Sequence, residues 1–291
     1  MFKGSIVALV TPFCNGTVDE KTLRTLVDFQ IHNGTSGIVP CGTTGESATL
    51  SYEEHDRVIE IVIEQAAGRV PIIAGTGSNA TQEAVMITKH AAKCGADASL
   101  QVAPYYNRPT QQGLYEHFKA IAECADIPMI LYNIASRTGV NIEPETIARL
   151  ARDCKNIVGV KEASGSLEQM ARIKMLCPTS FDLLSGDDSL TLPVLSIGGT
   201  GVVSVVANII PADTAKLVRL FEQGDISGAR NLHYALFALV KAMFIETNPI
   251  PVKTAMELLG LCSSQLRLPM CAMSAGNKEK LITVLKEYRL L

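Results

Sequence analysis

The sequence predicts an α/β chain folded as a (β/α)8 (TIM) barrel with a C-terminal helical appendage. Three observations lead there. Eight short β-rich runs recur, and amphipathic helical stretches fill the gaps between them. That alternation implies parallel pairing with right-handed crossovers. No Gly-rich dinucleotide turn follows the first run, as an open doubly wound sheet would normally carry; Gly75-Thr76-Gly77-Ser78 matches only a fragment of one.

The expected strands cover residues 5–10, 37–41, 71–75, 99–103, 128–133, 157–162, 182–186 and 201–206. Helical stretches are expected over 22–33, 53–67, 81–94, 114–124, 144–153 and 168–176, with 212–222 closing the eighth unit. Gly224 and Asp225 then punctuate the chain. Three more helical runs follow at 226–244, 251–259 and 278–290, with Asn248-Pro249-Ile250-Pro251 as a kinked connector. The expected organisation is a catalytic barrel over 1–224 and a three-helix region over 225–291.

The 291 residues can bury a sizeable core, and 47% hydrophobic with 19% charged is ordinary for a compact soluble protein. A net charge of -3 without any Lys/Arg run argues against nucleic acid or a membrane surface as partner. The N-terminus has no signal-peptide pattern and no run is long enough to span a bilayer, so a cytoplasmic place is expected. Eight scattered cysteines form no Cys-x-x-Cys pair and read as reduced thiols. The five histidines lack a compact ligand spacing, and no aspartate–histidine cluster suggests a divalent ion, so no metal is expected.

The chemistry centres on Ile157-Val158-Gly159-Val160-Lys161-Glu162. Strand alternation puts Val158 and Val160 on one face, Gly159 and Lys161 on the other. Gly159 would leave room for the lysine stem or a small ligand. A buried ammonium loses solvation, which favours its neutral, nucleophilic form and a Schiff base with a carbonyl substrate. The bland alternative is a lysine that is paired or solvated at a strand end.

In such a barrel the carboxyl ends of all strands share one mouth. Strand two ends in Cys41-Gly42-Thr43-Thr44-Gly45-Glu46-Ser47, where glycines let amides and hydroxyls turn inward on a small carboxylate. An ordinary turn, with Ser47 or Thr49 capping the next helix, weighs about equally. Tyr132 ends strand five, where a phenol can pass protons; a satisfied core tyrosine is its alternative. Arg137 follows on a loop suited to bidentate carboxylate binding, or to plain surface exposure. Tyr105 and Tyr106 sit in a Pro-bounded loop and would roof a pocket or reach a partner subunit. In Ser185-Gly186-Asp187-Asp188, Gly186 admits a ligand to the backbone and the aspartates orient loops. Together these groups are equipment for covalent chemistry on a keto acid.

The motifs Gly42-Thr43-Thr44-Gly45-Glu46-Ser47-Ala48-Thr49-Leu50, Pro104-Tyr105-Tyr106-Asn107-Arg108-Pro109, Tyr132-Asn133, Ser136-Arg137-Thr138-Gly139, Val160-Lys161-Glu162-Ala163 and Ser185-Gly186-Asp187-Asp188 resemble the dihydrodipicolinate synthase family. The likeness covers nearly the whole chain. The family belongs to the Schiff-base lyase superfamily. Sialate lyases share the tyrosine and lysine but are not expected to keep Arg137; a sister aldolase acting on a sugar acid is the alternative function.

The resemblance implies that Lys161 forms an imine with pyruvate, whose enamine attacks L-aspartate 4-semialdehyde in the first committed step of lysine synthesis. It implies Tyr132 as proton relay with Thr43 and Tyr106 as partners, the last crossing from a neighbouring subunit. Thr44 would hold the pyruvate carboxylate and Arg137 that of the semialdehyde, while Gly186 and Val203 line the pocket. No dissociable cofactor is implied. Ser47, Ala48, His55, Asn79, Glu83 and Tyr105 match an inhibitory L-lysine site, with Tyr52 standing where several relatives have histidine. Asn79 and Glu83 could equally open a helix. A homotetramer of tight dimers is the implied assembly.

Overall fold

A computed structural model describes residues 2–291. Eight strands form one parallel sheet: β1 (Gly4–Ala8), β2 (Gly37–Val39), β3 (Ile73–Gly75), β4 (Ala98–Val102), β5 (Met129–Asn133), β6 (Ile157–Glu162), β7 (Asp182–Ser185) and β8 (Gly201–Ser204). They run in the spatial order β2-β1-β8-β7-β6-β5-β4-β3. A parallel bridge between Ile38 and Ile72 brings the two ends together, so the sheet is a nearly closed barrel. Every predicted strand is present, with its ends moved by no more than two residues.

Helices cover the outside: α1 (Glu20–His32), α2 (Tyr52–Ala66), α3 (Thr81–Cys94), α4 (Gln111–Ala122), α5 (Pro144–Asp153), α6 (Leu167–Leu176), α7 (Thr191–Ser196) and α8 (Pro211–Glu222). The short α7 was not foreseen: its six residues span less than two turns, too few for a readable period. The start of α2 is set by Ser51, whose hydroxyl accepts from the Glu54 amide in a capping box. Ser47 and Thr49 lie in a separate 3₁₀ turn and do not cap it.

Two apolar layers follow from the strand alternation. Ile6, Val39, Ile73, Leu100, Ile130, Leu184 and Val203 fill the barrel interior. Met129, Leu131, Val160 and Leu183 face outward onto Leu114, Ile147 and Ile173 of the helices. One expectation fails here. Val158 packs with the interior and Val160 with the outer layer. The cause is a register shift between Met129 and Ile130, where β6 carries an extra residue and its alternation restarts.

The helices α9 (Ile226–Ala242), α10 (Ile250–Leu258) and α11 (Ala275–Glu287) follow the barrel. Leu239, Met243, Val252 and Leu285 share one core with Val10, Leu26 and Val206 of the barrel. The C-terminal helices are therefore laid on the barrel rather than set apart from it. No described helix is long and apolar enough to cross a membrane.

Candidate active site

Beyond the shift, the β5–β6 register is regular and places Tyr132 directly beside Lys161. Paired residues of parallel strands point to the same face, so both side chains enter the barrel. Lys161 Nζ lies 4.0 Å from the centroid of the Tyr132 ring, and both residues are 5% exposed. No carboxylate pairs with this amine among the described residues. The neighbouring Glu162 faces outward and is occupied: it accepts from Asn133 Nδ2 at 3.0 Å, the Ser164 amide at 2.7 Å and Gln169 Nε2 at 3.0 Å.

Gly186 follows β7 because nothing larger fits. A Cβ there would stand 2.6 Å from Ala163 Cβ and 3.3 Å from Lys161 Cε. Gly159 serves a different end from the one expected. Its missing Cβ makes room for Asp182 of the next strand, whose atoms would lie 2.8–2.9 Å away, not for a ligand. Val203 lies in the barrel interior with Tyr132 and Leu184.

The loop after β2 turns back on itself. The amides of Gly45, Glu46 and Ser47 are spent on the carbonyls of Gly42 and Thr43. The amides of Thr43 and Thr44 have no backbone acceptor among the described residues and stay available to an anion. Glu46 sits at φ 54° and reaches the other way: its Oε1 accepts from Lys253 Nζ at 2.7 Å. That lysine also donates to the Thr11 carbonyl at 2.9 Å and lies over the Phe13 ring.

A cavity of about 440 Å³ opens at this mouth. Thr43, Tyr132 and Arg137 line one end of it, and Ser47, Ala48, His55, Glu83 and Tyr105 are also on its wall. Lys161, Thr44, Gly186 and Val203 do not line it; Lys161 lies directly behind Tyr132, which does. Asn79 is off the wall, donating from Nδ2 to the Tyr105 carbonyl at 3.2 Å. It does not cap α3, whose cap residue Ala80 donates its amide to Ser78 Oγ. Tyr106 is 91% exposed at φ 74°, a left-handed conformation that a bulky residue seldom adopts, and does not reach the cavity of its own chain.

Asn248, between α9 and α10, was missed. It is buried on the cavity wall. Its Nδ2 donates to Thr44 Oγ1 at 3.0 Å, and its carbonyl accepts from Arg137 Nη2 at 3.1 Å. Its Oδ1 is buried with no partner. It thus links the two groups expected to hold carboxylates. The sequence showed only a proline-kinked connector at this point.

Around the far end, Glu83 accepts from Ser78 Oγ at 2.7 Å and from the Tyr52 phenol, and both bonds hold its carboxyl below the usual range. His55 is pushed down to about 4 by burial, as is His117 on α4. Asp187 and Asp188 orient loops as their spacing suggests. Asp187 caps the Ser189 amide, and Asp188 Oδ2 accepts from the amides of Val205 and Val206.

A parallel barrel whose carboxyl mouth holds an unpaired amine against a phenol, with a guanidinium nearby, has the build of a Schiff-base lyase. Comparison with known proteins narrows the class. The chain belongs to the dihydrodipicolinate synthetase family, whose profile matches residues 1–288, and its activity is that of a 4-hydroxy-tetrahydrodipicolinate synthase, a lyase. It is 61% identical to the enzyme of that name from Syntrophus aciditrophicus, over 100% of both chains. A dihydrodipicolinate synthase from Cyanidioschyzon merolae with lysine bound superposes with a TM-score of 0.97 at 45% identity, covering 100% of this chain and 99% of that one. The chloride-inhibited synthase from Acinetobacter baumannii, complexed with pyruvate, gives 0.97 at 43% identity over 100% of both chains.

Proposed function

We propose that Lys161 is the nucleophile and that the chain condenses pyruvate with L-aspartate 4-semialdehyde. The observation that carries this is the Lys161 amine stacked 4.0 Å from the Tyr132 ring centroid without a carboxylate partner. An amine engaged by a counter-ion is held by it; this one has no ion partner among the described residues and is free to meet a carbonyl carbon.

The amine adds to C2 of pyruvate, and loss of water gives the imine. A proton leaves C3 to give the enamine, and C3 then bonds to the aldehyde carbon of the semialdehyde. The amine of that substrate attacks C2, the bond to Lys161 breaks, and the ring closes. Tyr132 carries protons in both the opening and closing steps, with Thr43 as its neighbour on the cavity wall. Tyr106 completes the relay from an adjacent subunit, which accounts for its exposure and its backbone. The Thr44 hydroxyl and the free amides of Thr43 and Thr44 hold the pyruvate carboxylate. Arg137, steadied by Asn248, holds the carboxylate of the second substrate, and Gly186 and Val203 shape the pocket.

The same reading takes residues 1–224 as the catalytic barrel, 225–291 as its helical support, and a cytoplasmic homotetramer as the assembly. It places inhibitory L-lysine at Ser47, Ala48, His55, Glu83 and Tyr105, with Asn79 holding the Tyr105 loop. The pyruvate and lysine complexes of the two relatives support these ligands. Incubation with pyruvate and borohydride tests the reading. One reduced pyruvyl adduct is expected on Lys161; an adduct on another lysine, or none, removes the assignment.

A further inference from the structure

We propose that Glu60, His90 and Cys94 form a divalent-cation site of the zinc type between α2 and α3. Their ligand atoms all lie within 4.8 Å of one another. His90 Nε2 is 3.3 Å from Cys94 Sγ and 3.3 Å from Glu60 Oε1. Zinc bonds of about 2.3 Å to sulfur and about 2.0 Å to nitrogen and oxygen give a tetrahedron with S···N edges of about 3.5 Å and N···O edges of about 3.3 Å. The two edges at His90 already match such a figure, and the third, from Glu60 to Cys94, is no longer than 4.8 Å.

Helix geometry explains the convergence. His90 and Cys94 are four apart on α3, as are Asp56 and Glu60 on α2, and residues four apart share a helix face. Two such faces meet where the helices pack together. Asp56 supplies what a bound imidazole needs behind it: its Oδ2 lies 3.5 Å from His90 Nδ1. A carboxylate there fixes the ring and leaves Nε2 for the cation. All three ligands are half-buried, so the fourth position opens to water. On binding, the Cys94 thiol gives its proton to solvent and the thiolate enters the coordination shell.

The histidine spacing along the chain could not show this, because the ligands come from two helices. The site also has a position of interest. Both helices bring residues to the cavity wall, Tyr52 and His55 from α2, Glu83 and Ile87 from α3. A bound cation would pin the two helices together behind that end of the cavity.

The test uses the full chain stripped with a chelator. Zinc titrated by calorimetry is expected to bind at one equivalent per chain. Cobalt in its place should give a thiolate-to-metal charge-transfer band and the strong visible bands of a tetrahedral ion. His90→Ala and Cys94→Ser should each weaken zinc binding about 100-fold, and Cys94→Ser should abolish the charge-transfer band. Asp56→Asn should weaken binding about 10-fold and keep the band. Circular dichroism checks that each variant is folded, and Cys94→Ser, nearly the same size, serves if His90→Ala is not. Absence of the cobalt–thiolate band, or zinc affinity unchanged in both ligand variants, overturns the proposal.

Discussion

Lys161 and Lys253 are both sunk in this molecule, 5% and 0% exposed, yet their surroundings differ in kind. Lys253 is held on every side. Glu46 meets it at 2.7 Å, the Thr11 carbonyl at 2.9 Å, and the Phe13 ring lies 4.3 Å below. Lys161 has the Tyr132 ring and no ion partner. Burial alone therefore does not make a nucleophile. The cation that is given a counter-charge becomes a strut between the loop after β2 and α10. The one without a counter-charge is left beside a phenol ring, free of any strut, which is the setting the proposed nucleophile requires.

The sharpest break in this comparison is to remove each amine in turn. Lys161→Ala should lose on the order of 10³-fold or more in turnover while keeping the melting temperature, because its loss removes covalent chemistry and leaves no buried charge unpaired. Steady-state rates and a thermal melt check both halves. Lys253→Met should do the reverse. It strands Glu46 in the interior and should cost roughly 3–5 kcal/mol of stability. Borohydride trapping at low temperature should still label Lys161. Adding Glu46→Gln to Lys253→Met should recover part of the loss, as a denaturant titration would show.

A smaller effect separates the two substrates. Arg137→Ala should slow the semialdehyde step far more than imine formation, measured by single-turnover trapping against the full reaction. Asn248→Ala keeps the carbonyl that meets Arg137 and loses only the Nδ2 bond to Thr44, so it should cost about fivefold in kcat/KM for pyruvate, the worth of one hydrogen bond. If both partial reactions fall equally in Arg137→Ala, the role given to Arg137 is wrong; an unchanged kcat/KM for pyruvate in Asn248→Ala removes Asn248 as support for Thr44.

The smallest effect is on pH dependence. His55 and His117 are held near 4 in the folded chain against 6.5 in an unfolded one. Between those values the unfolded chain binds more protons, so stability falls as pH drops through that window and is fully present above 6.5. His55→Gln with His117→Gln should flatten the melting temperature between pH 6.5 and 4. A slope unchanged by the pair would remove them as the cause.

The barrel and the placing of Tyr132 and Lys161 at its mouth were legible because recurring short strands and the alternation within each are local signals. What failed was what alternation cannot carry. The extra residue at the start of β6 moved Val158 off the face of Val160, and a register shift leaves no mark in composition. Gly159 answers to Asp182 on another strand. The contact between Asn248 and Thr44 joins positions 204 apart, and that between Lys253 and Glu46 joins positions 207 apart. Such pairings exist only after the chain has folded.

Asn248 also gives the pocket a history. Its carboxamide belongs to a segment synthesised after every barrel strand, and domains fold from the N-terminal side as they leave the ribosome. A nascent chain can thus have Lys161 beside Tyr132 while the tie between Thr44 and Arg137 is still missing. The loop after β2 and the segment carrying Arg137 are joined through Asn248 only when the late helices have docked.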